Sequence, residues 1–165
     1  MRLESQQYCD NAWGLVEEYI HGVTNGTIVC NKWIKLAVER YKKMLNNSDK
    51  FVYRVERVDR VFKFCSYINI ENKNKYTQMP LMAWQAFTIA FVFGFYEKEN
   101  IEKRVIRELF CFVGRKNGKT AFASTLLLYG MLGDGVTNPT SLLLANTTQQ
   151  SSICLAYAAD IVNHS

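Results

Sequence analysis

Residues 114–120, which read GRKNGKT, constrain the possible fold more than any other stretch of this chain. They follow a short apolar segment, residues 109–113, and precede a longer one, residues 121–129. Glycines where a strand meets a helix let successive backbone N–H groups point at a phosphate, because no Cβ stands in the way. A lysine in such a loop carries charge to the outer phosphates, and the helix N-terminus adds partial positive charge. The pattern therefore predicts a strand, a phosphate-binding loop and a helix, in that order.

The motif assigns chemistry to individual positions of this loop. Lys119 is predicted to neutralise phosphates, and the hydroxyl of Thr120 to ligate Mg²⁺. Arg115 has two possible interpretations. In one, it stabilises charge that develops on a γ-phosphate; in the other, it projects into solvent or towards an acidic neighbour. The match to G-x-x-x-x-G-K-[ST] is imperfect, because Val113 stands where the first glycine belongs. The residues of the loop predicted to bind a nucleotide are Gly114, Arg115, Lys116, Asn117, Gly118, Lys119 and Thr120.

Composition and charge argue against several other classes of protein. The chain has 165 residues, 48% of them hydrophobic and 21% charged, as expected for one globular domain or part of a larger one. Its five cysteines form no C-x-x-C pair and it has two histidines, which argues against a zinc site, a disulfide framework or a histidine-based triad. The net charge of +5 agrees with an acidic partner without identifying one. The longest apolar stretch, residues 81–95, is shorter than the roughly 20 residues that cross a bilayer, and no signal peptide is visible.

The first part of the chain, residues 1–70, is predicted to be a helical region with three amphipathic helices. Asn31 is predicted to cap the second helix, which residues 46–49 should end. Two adjacent helices also suggest a helix-turn-helix DNA reader, but the connection between them, residues 22–30, is longer than that motif uses. Residues 71–79 are polar and are predicted to be a connector.

The last part, residues 80–165, is predicted to be the opening of an α/β nucleotide-binding core. Strands over residues 109–113 and 141–145 alternate with helices, and Asn146 or Thr147 is predicted to cap the last helix. The fold class predicted for the whole chain is therefore α/β. A helical N-terminal lobe precedes the first half of a P-loop NTPase, an incomplete parallel sheet with flanking helices.

Gln85 is a second candidate for contact with a nucleotide. Its side-chain amide offers one acceptor and two donors, which suits the donor–acceptor edge of adenine, and Trp84 beside it suits packing against a base. The alternative reading is a core tryptophan next to an incidental polar residue.

These residues together resemble the N-terminal half of the large subunit of tailed-phage terminases. The resemblance rests on Pro80-Leu81, on Trp84-Gln85, and on the run from Gly114 to Thr120 about thirty residues later. The segment from Leu143 to Gln150 is similar to the strand and helix start that follow in that family. The leading region, with Tyr19 to Gly22 and Arg40-Tyr41, is similar to the family's first helices, so that the resemblance covers nearly the whole chain.

The resemblance implies that residues 80–165 are a partial P-loop ATPase domain. It also implies an ATP-driven motor that pumps viral DNA into a preformed capsid and carries a separate nuclease domain. By position, Lys119 and Thr120 would hold ATP and Mg²⁺, Arg115 would be the arginine that senses the γ-phosphate, and Gln85 would read adenine. Lys119 and Arg115 are the residues implied in catalysis. The implied partners are double-stranded DNA, a small terminase subunit, the portal and capsid, and further copies of the same chain, in the cytoplasm of the host cell and without a membrane.

An ATPase of this type needs a carboxylate pair at a strand end, to hold Mg²⁺ and to activate water. After Thr120 the acidic residues are Asp134, in a predicted turn, and Asp160, in a predicted helix. We therefore expect an N-terminal piece of the motor that lacks the nuclease domain, exposes apolar surface and does not turn over ATP by itself.

Two alternatives remain open at this point. In the first alternative, the chain is a different P-loop protein, such as a nucleotide or small-molecule kinase. Against this, more than a hundred residues precede the loop. Otherwise it is a non-catalytic interaction domain in which Gly118-Lys119-Thr120 is incidental.

Overall fold

In the part of the chain that the structure describes, six α-helices form where apolar residues recur at helical spacing in the sequence. The structure, a computed structural model, describes residues 2–47 and 49–165. Of the residues predicted to end the second helix, Ser48 therefore lies outside the described part. The three predicted N-terminal helices are confirmed. The helices are α1 (Ser5–Asn25), α2 (Lys32–Leu45), α3 (Val55–Tyr67), α4 (Ala83–Gly94), α5 (Lys119–Leu128) and α6 (Thr148–His164).

The helix ends follow the predicted capping chemistry. The side chain of Asn31 accepts hydrogen bonds from the backbone N–H groups of Trp33 (3.0 Å) and Ile34 (3.1 Å), which satisfies two donors that α2 cannot use internally. At α6 the hydroxyl of Thr147 accepts from Gln150 N (3.3 Å). Both predicted caps are confirmed, with Thr147 and not Asn146 at the start of α6.

Two short antiparallel strand pairs were not predicted from the sequence. β1 (Phe51–Tyr53) pairs with β4 (Phe95–Glu97), and β2 (Asn69–Asn72) pairs with β3 (Lys75–Gln78). The second pair is a hairpin whose turn consists of Lys73 and Asn74, both with positive φ (50° and 63°), as a two-residue type I′ turn requires. The polar segment interpreted as a connector is therefore largely this hairpin, while the domain bounds at residues 70 and 79 stay a prediction.

The chain divides into two compact units. The aromatic unit consists of Gln6–Phe62 and Leu81–Phe110. Tyr41 lies at the centre of its core, with ring centroids 5.9 Å from Tyr53, 5.5 Å from Phe87 and 5.4 Å from Phe95. The hydroxyl of Tyr41 donates to that of Tyr53 (3.0 Å), which donates in turn to the carbonyl of Ala90 (3.1 Å). Burial raises the pKa of Tyr53 above its ordinary value, so this hydrogen-bonded chain stays neutral.

The aromatic unit also contains a surface cluster of ions. Arg54 donates to Glu102 (3.0 Å) and to Glu56 (2.6 Å), and Arg57 donates to the second carboxylate oxygen of Glu102. Hydrogen bonds from Arg54 and then from Arg57 lower the pKa of Glu102 below its ordinary value. A carboxylate with a lowered pKa stabilises the fold at neutral pH, and this stabilisation is lost as the pH falls through the lowered value.

We therefore expect Glu102→Gln to flatten the fall of the melting temperature as the pH drops below the ordinary pKa of a glutamate. The measurement is a thermal melt followed by circular dichroism at several pH values, with Glu99→Gln as the control at an exposed carboxylate nearby. An identical acid slope in wild type and Glu102→Gln would contradict the assigned role of the cluster.

The loop unit consists of residues 2–5, Lys63–Pro80 and Cys111–Ser165. Its core is built by α5 against α6 and by the hairpin against α6. The hydroxyl of Ser124 donates to the carbonyl of Cys154 (3.0 Å), which ties the two buried helix faces together. The hairpin is held by Tyr76, whose hydroxyl donates to Asp160 (2.8 Å) and whose ring stacks on His164 at 3.7 Å. After α5 the chain continues in a π-helical turn, Tyr129–Gly133.

The predicted buried strands over residues 109–113 and 141–145 are not found in this structure. Within the described part of the chain neither segment pairs with another, and their apolar side chains are exposed, with Phe110 and Phe112 each 90% and Leu144 91% exposed. The physical reason is that a strand needs a neighbour to satisfy its backbone N–H and C=O groups, and no described segment supplies one. The exposed apolar surface expected from the sequence is present. The parallel sheet is not.

No described helix is long and apolar enough to cross a membrane. The longest apolar stretch of the sequence, residues 81–95, contains α4, in which Ala86, Ile89 and Ala90 are fully buried.

Candidate functional site

The candidate site is the loop that leads into α5, in the loop unit. Gly118 has φ 67° and ψ 15°, the left-handed conformation that favours glycine, and α5 begins at the next residue. The first helical hydrogen bond runs from Phe122 N to the carbonyl of Gly118 (3.0 Å). The N–H groups of Lys119, Thr120 and Ala121 therefore precede the helical ladder, as at any helix start. A helix N-terminus of this kind attracts anions.

A second left-handed residue precedes Gly118 in the same loop. Lys116 has φ 64°, so left-handed residues stand at alternate positions around Asn117. Alternation of this kind turns successive N–H groups to one side of the backbone and forms an anion-binding concavity. The side-chain amide of Asn117 closes the loop, because it donates to the carbonyls of Gly114 (3.3 Å) and Arg115 (3.2 Å).

Lys119 folds back onto the start of the loop. Its ammonium donates to the carbonyl of Gly114 (2.7 Å) and to the carbonyl of Val113. The side chain is half-buried, and so its positive charge lies against the loop backbone and not in bulk solvent. Val113 stands where the motif has its first glycine, and in this structure it contacts Lys119 through its backbone carbonyl. Any residue supplies a carbonyl, so this contact does not need a glycine.

Thr120 follows Lys119 in the first turn of α5. Its hydroxyl has no hydrogen-bond partner among the residues that the structure describes, and no acidic residue lies in this first turn. An exposed hydroxyl next to a half-buried ammonium at a helix start is the arrangement that the phosphate-loop motif predicts.

Arg115 and Lys116 form the exposed tip of the loop. Within residues 2–47 and 49–165, neither pairs with a carboxylate, so the structure gives no support to the reading in which Arg115 holds an acidic neighbour. Both side chains are therefore available to an anion. Whether Arg115 contacts a γ-phosphate stays a prediction.

Cys111 reports the local electrostatics at the base of the loop. Partial burial raises the pKa of its thiol above the ordinary value, and the positive charge of Lys119 offsets part of that rise. The thiol is therefore protonated at neutral pH, and we assign it no nucleophilic role.

Gln85 lies in the aromatic unit, at the start of α4, and not in the unit that contains the loop. Its side chain is 2% exposed, and its carbonyl oxygen accepts from the N–H of Met82 (2.9 Å), which satisfies a donor at the helix start. This capping contact is a local structural role that the sequence reasoning missed, and the pattern of a glutamine three residues after the cap was the available signal. The adenine-reading role of Gln85 stays a prediction.

Metal ligands are few in the described structure. No group of three or more His, Cys, Asp or Glu side chains that could hold a metal occurs within residues 2–47 and 49–165. Of the two carboxylates that follow the loop, Asp134 ends the π-helical turn and Asp160 accepts from Tyr76. A divalent cation at this site would therefore depend on the Thr120 hydroxyl and on oxygens of the bound phosphates, a donor set that suits Mg²⁺.

Comparison with known proteins gives a family for this chain. A family model described as the ATPase domain of the terminase large subunit matches residues 83–165. The terminase large subunits of Lactococcus phage p2 and Lactococcus phage SK1 are each 25% identical to the chain over 130 residues. The aligned part covers 77% of this chain and 23% of each relative, so the chain spans about a quarter of their length. No solved structure gives a significant match.

Proposed function

Because this chain belongs to the family of terminase large-subunit ATPase domains, we propose that residues 114–120 bind the phosphates of ATP within a phage or prophage DNA-packaging motor. The observation that carries the proposal is the geometry of the loop. A left-handed Gly118 opens α5, and the ammonium of Lys119 lies against the loop carbonyls beside that helix start. A backbone concavity, a helix N-terminus and a lysine together suit a triphosphate and Mg²⁺.

Each residue of the loop would have a different role in binding the nucleotide. The N–H groups at the start of α5 would bind phosphate oxygens, Lys119 would neutralise them, and Thr120 would ligate Mg²⁺. Bound Mg²⁺ would supply charge neutralisation between the phosphates. Arg115 would approach the γ-phosphate from the exposed tip, and Gln85 would contact the adenine once its bond to Met82 N opens.

The unpaired segments 109–113 and 141–145 support a further part of the proposal. Exposed aromatic and aliphatic side chains next to a phosphate-binding loop are typical of strands that lack their neighbours. We propose that both segments are strands of a parallel sheet that further strands complete. In that assembly Phe112 and Leu144 would be buried.

The partners of the motor follow from the family and not from contacts in this structure. We propose that the complete protein acts on double-stranded DNA in the host cytoplasm as a homo-oligomer, together with a small terminase subunit and the portal of the capsid, and that a nuclease domain accompanies it. Because this chain spans about a quarter of its relatives, these activities belong to the proposal for the whole protein.

The proposal predicts that the 165-residue chain binds ATP without sustained hydrolysis, since neither acidic residue after the loop, Asp134 or Asp160, stands at the end of a strand in the described structure. Isothermal titration with a non-hydrolysable ATP analogue should show one saturable site that needs Mg²⁺, and a phosphate-release assay should stay at background. Phosphate transfer to a nucleoside would instead identify a kinase. Steady-state hydrolysis by this chain would contradict the expectation that turnover needs carboxylates that the chain alone does not supply.

A further inference from the structure

One helix, α2, carries a dense run of positive charge, far along the sequence from the phosphate loop. Within Lys32–Leu45 five side chains are cationic and one, Glu39, is anionic, which gives a charge of +4 where the whole chain has +5. By contrast α1, which precedes it, carries three acidic residues and no basic one. The cationic residues of α2 are Lys32, Lys35, Arg40, Lys42 and Lys43.

These cations share the exposed side of the helix. The opposite side is buried in the core of the aromatic unit through Val38, Tyr41 and Met44. At 3.6 residues per turn, Lys32 and Lys43 lie opposite the centre of that buried side and Lys35 lies about a third of a turn from it. All three lysines are exposed. From Lys32 to Lys43 this basic face is about 16 Å long.

None of the five cations is neutralised by a carboxylate in the part of the chain that the structure describes. Lys32 lies over the ring of Trp33, with its ammonium 4.8 Å from the ring centroid. Lys42 donates to the hydroxyl of Thr24 (2.7 Å), and Arg40 lies over the ring of Phe91 at 5.9 Å. In the same unit, the arginines of the cluster around Glu102 are paired with carboxylates. The charge on α2 is therefore unpaired, unlike the charge of that cluster.

The composition of the basic face distinguishes between two kinds of acidic partner. Four of its five cations are lysines, and lysine is depleted in the cores of protein–protein interfaces, whereas it is a common contact for the phosphates of nucleic acids. Trp33, 67% exposed, stands beside these lysines and offers a flat surface at the edge of such a contact.

We propose that the exposed face of α2 binds the phosphate backbone of double-stranded DNA without reading its sequence. A duplex carries one negative charge about every 1.7 Å along its axis, so a face about 16 Å long spans enough phosphates for each of its lysines. This contact lies outside the nucleotide loop and needs no ATP. It would hold the substrate of the motor by charge alone.

The test measures binding of a fluorescent 24-base-pair duplex of random sequence to the full chain, by anisotropy, at several salt concentrations and without nucleotide. The variant is the triple substitution Lys32→Gln, Lys35→Gln and Lys43→Gln. We expect binding at least about tenfold weaker at 0.1 M salt, and a smaller slope of log K against log salt by about 2 to 3, because up to three phosphate contacts are lost.

The matched control removes the same three charges elsewhere, with Lys63→Gln, Lys73→Gln and Lys75→Gln, all outside α2. The control should bind DNA as the wild type does, and both triples should keep the wild-type circular dichroism and thermal melt. Equal losses in the two triples would show that only net charge matters, which would overturn the proposal.

Two further measurements separate this proposal from its alternatives. DNA should protect Trp33 from quenching by acrylamide, and the protected fraction of the fluorescence should disappear in Trp33→Phe. Protection that survives this substitution would contradict a contact at α2.

A poly-glutamate peptide tests for an acidic protein partner. Peptide binding that depends on the three lysines, together with DNA binding that does not, would overturn the proposal. Lys119→Ala should leave DNA binding intact, and so failure of the nucleotide site and failure of this face are distinguishable.

Discussion

Lys119→Ala is expected to weaken binding of Mg-ATP by about 10- to 150-fold, because loss of a charge-assisted contact to phosphate costs about 1.5–3 kcal/mol. In this structure the Lys119 ammonium donates to the carbonyls of Val113 and Gly114, and so it also holds the start of the loop against α5. The substitution therefore removes a ligand of the phosphates and a contact that shapes the loop. Isothermal titration with the ATP analogue measures the change.

Two variants separate these two effects of Lys119. Lys63→Ala removes one exposed lysine of the same unit and should bind nucleotide as the wild type does. Lys119→Arg keeps the charge but changes the shape of the cation, and so it should recover part of the affinity. Wild-type affinity in Lys119→Ala, with the fold retained, would favour the interpretation that the glycine–lysine–threonine run is incidental.

Phe95→Ala is expected to destabilise the aromatic unit by about 3–5 kcal/mol, the range for removal of a fully buried aromatic side chain. Phe95 is 0% exposed and its ring lies 4.8 Å from that of Tyr53 and 5.4 Å from that of Tyr41. The alanine would leave a cavity among rings whose packing also positions the two tyrosine hydroxyls. Urea unfolding, followed by tryptophan fluorescence, gives the change in the free energy of unfolding.

The control for this prediction is the same substitution on the surface. Phe110 belongs to the same unit and is 90% exposed, so Phe110→Ala should change the free energy of unfolding by less than about 1 kcal/mol. Comparable losses in the two variants would contradict the position of Phe95 at the centre of the core.

The sequence predicts the helices well because helical periodicity and capping are local properties. Asn31 and Thr147 cap the helices that the spacing of apolar residues indicates, and their side chains reach only two or three residues along the chain. The hairpin was missed because its strands are polar and its turn uses Lys73 and Asn74 in place of glycine. The pair Phe51–Tyr53 and Phe95–Glu97 was missed because three-residue strands show no period, and their partner lies far away in sequence.

The two predicted strands around the loop fail for a different reason. Residues 109–113 and 141–145 have the composition of buried strands, but pairing depends on neighbours that their own sequence does not specify. The turn into α5 is predicted better than the strands, because it depends on local residues. Gly118 adopts the left-handed conformation there, and Lys119 bonds to carbonyls only five or six residues away. The sequence could not show that Asn117 closes the loop, nor that Gln85 lies in a different compact unit.

The central claim is that the backbone at the start of α5 binds a triphosphate, and the backbone N–H groups there report it most directly. The measurement is a titration of ¹⁵N-labelled protein with Mg-ATP, with inorganic triphosphate and with adenosine, followed by ¹H–¹⁵N correlation spectra. The account predicts saturable shifts of the Gly118, Lys119 and Thr120 amide resonances with ATP and with triphosphate, and none with adenosine at the same concentrations. Unchanged resonances at these three residues under saturating ATP would contradict it.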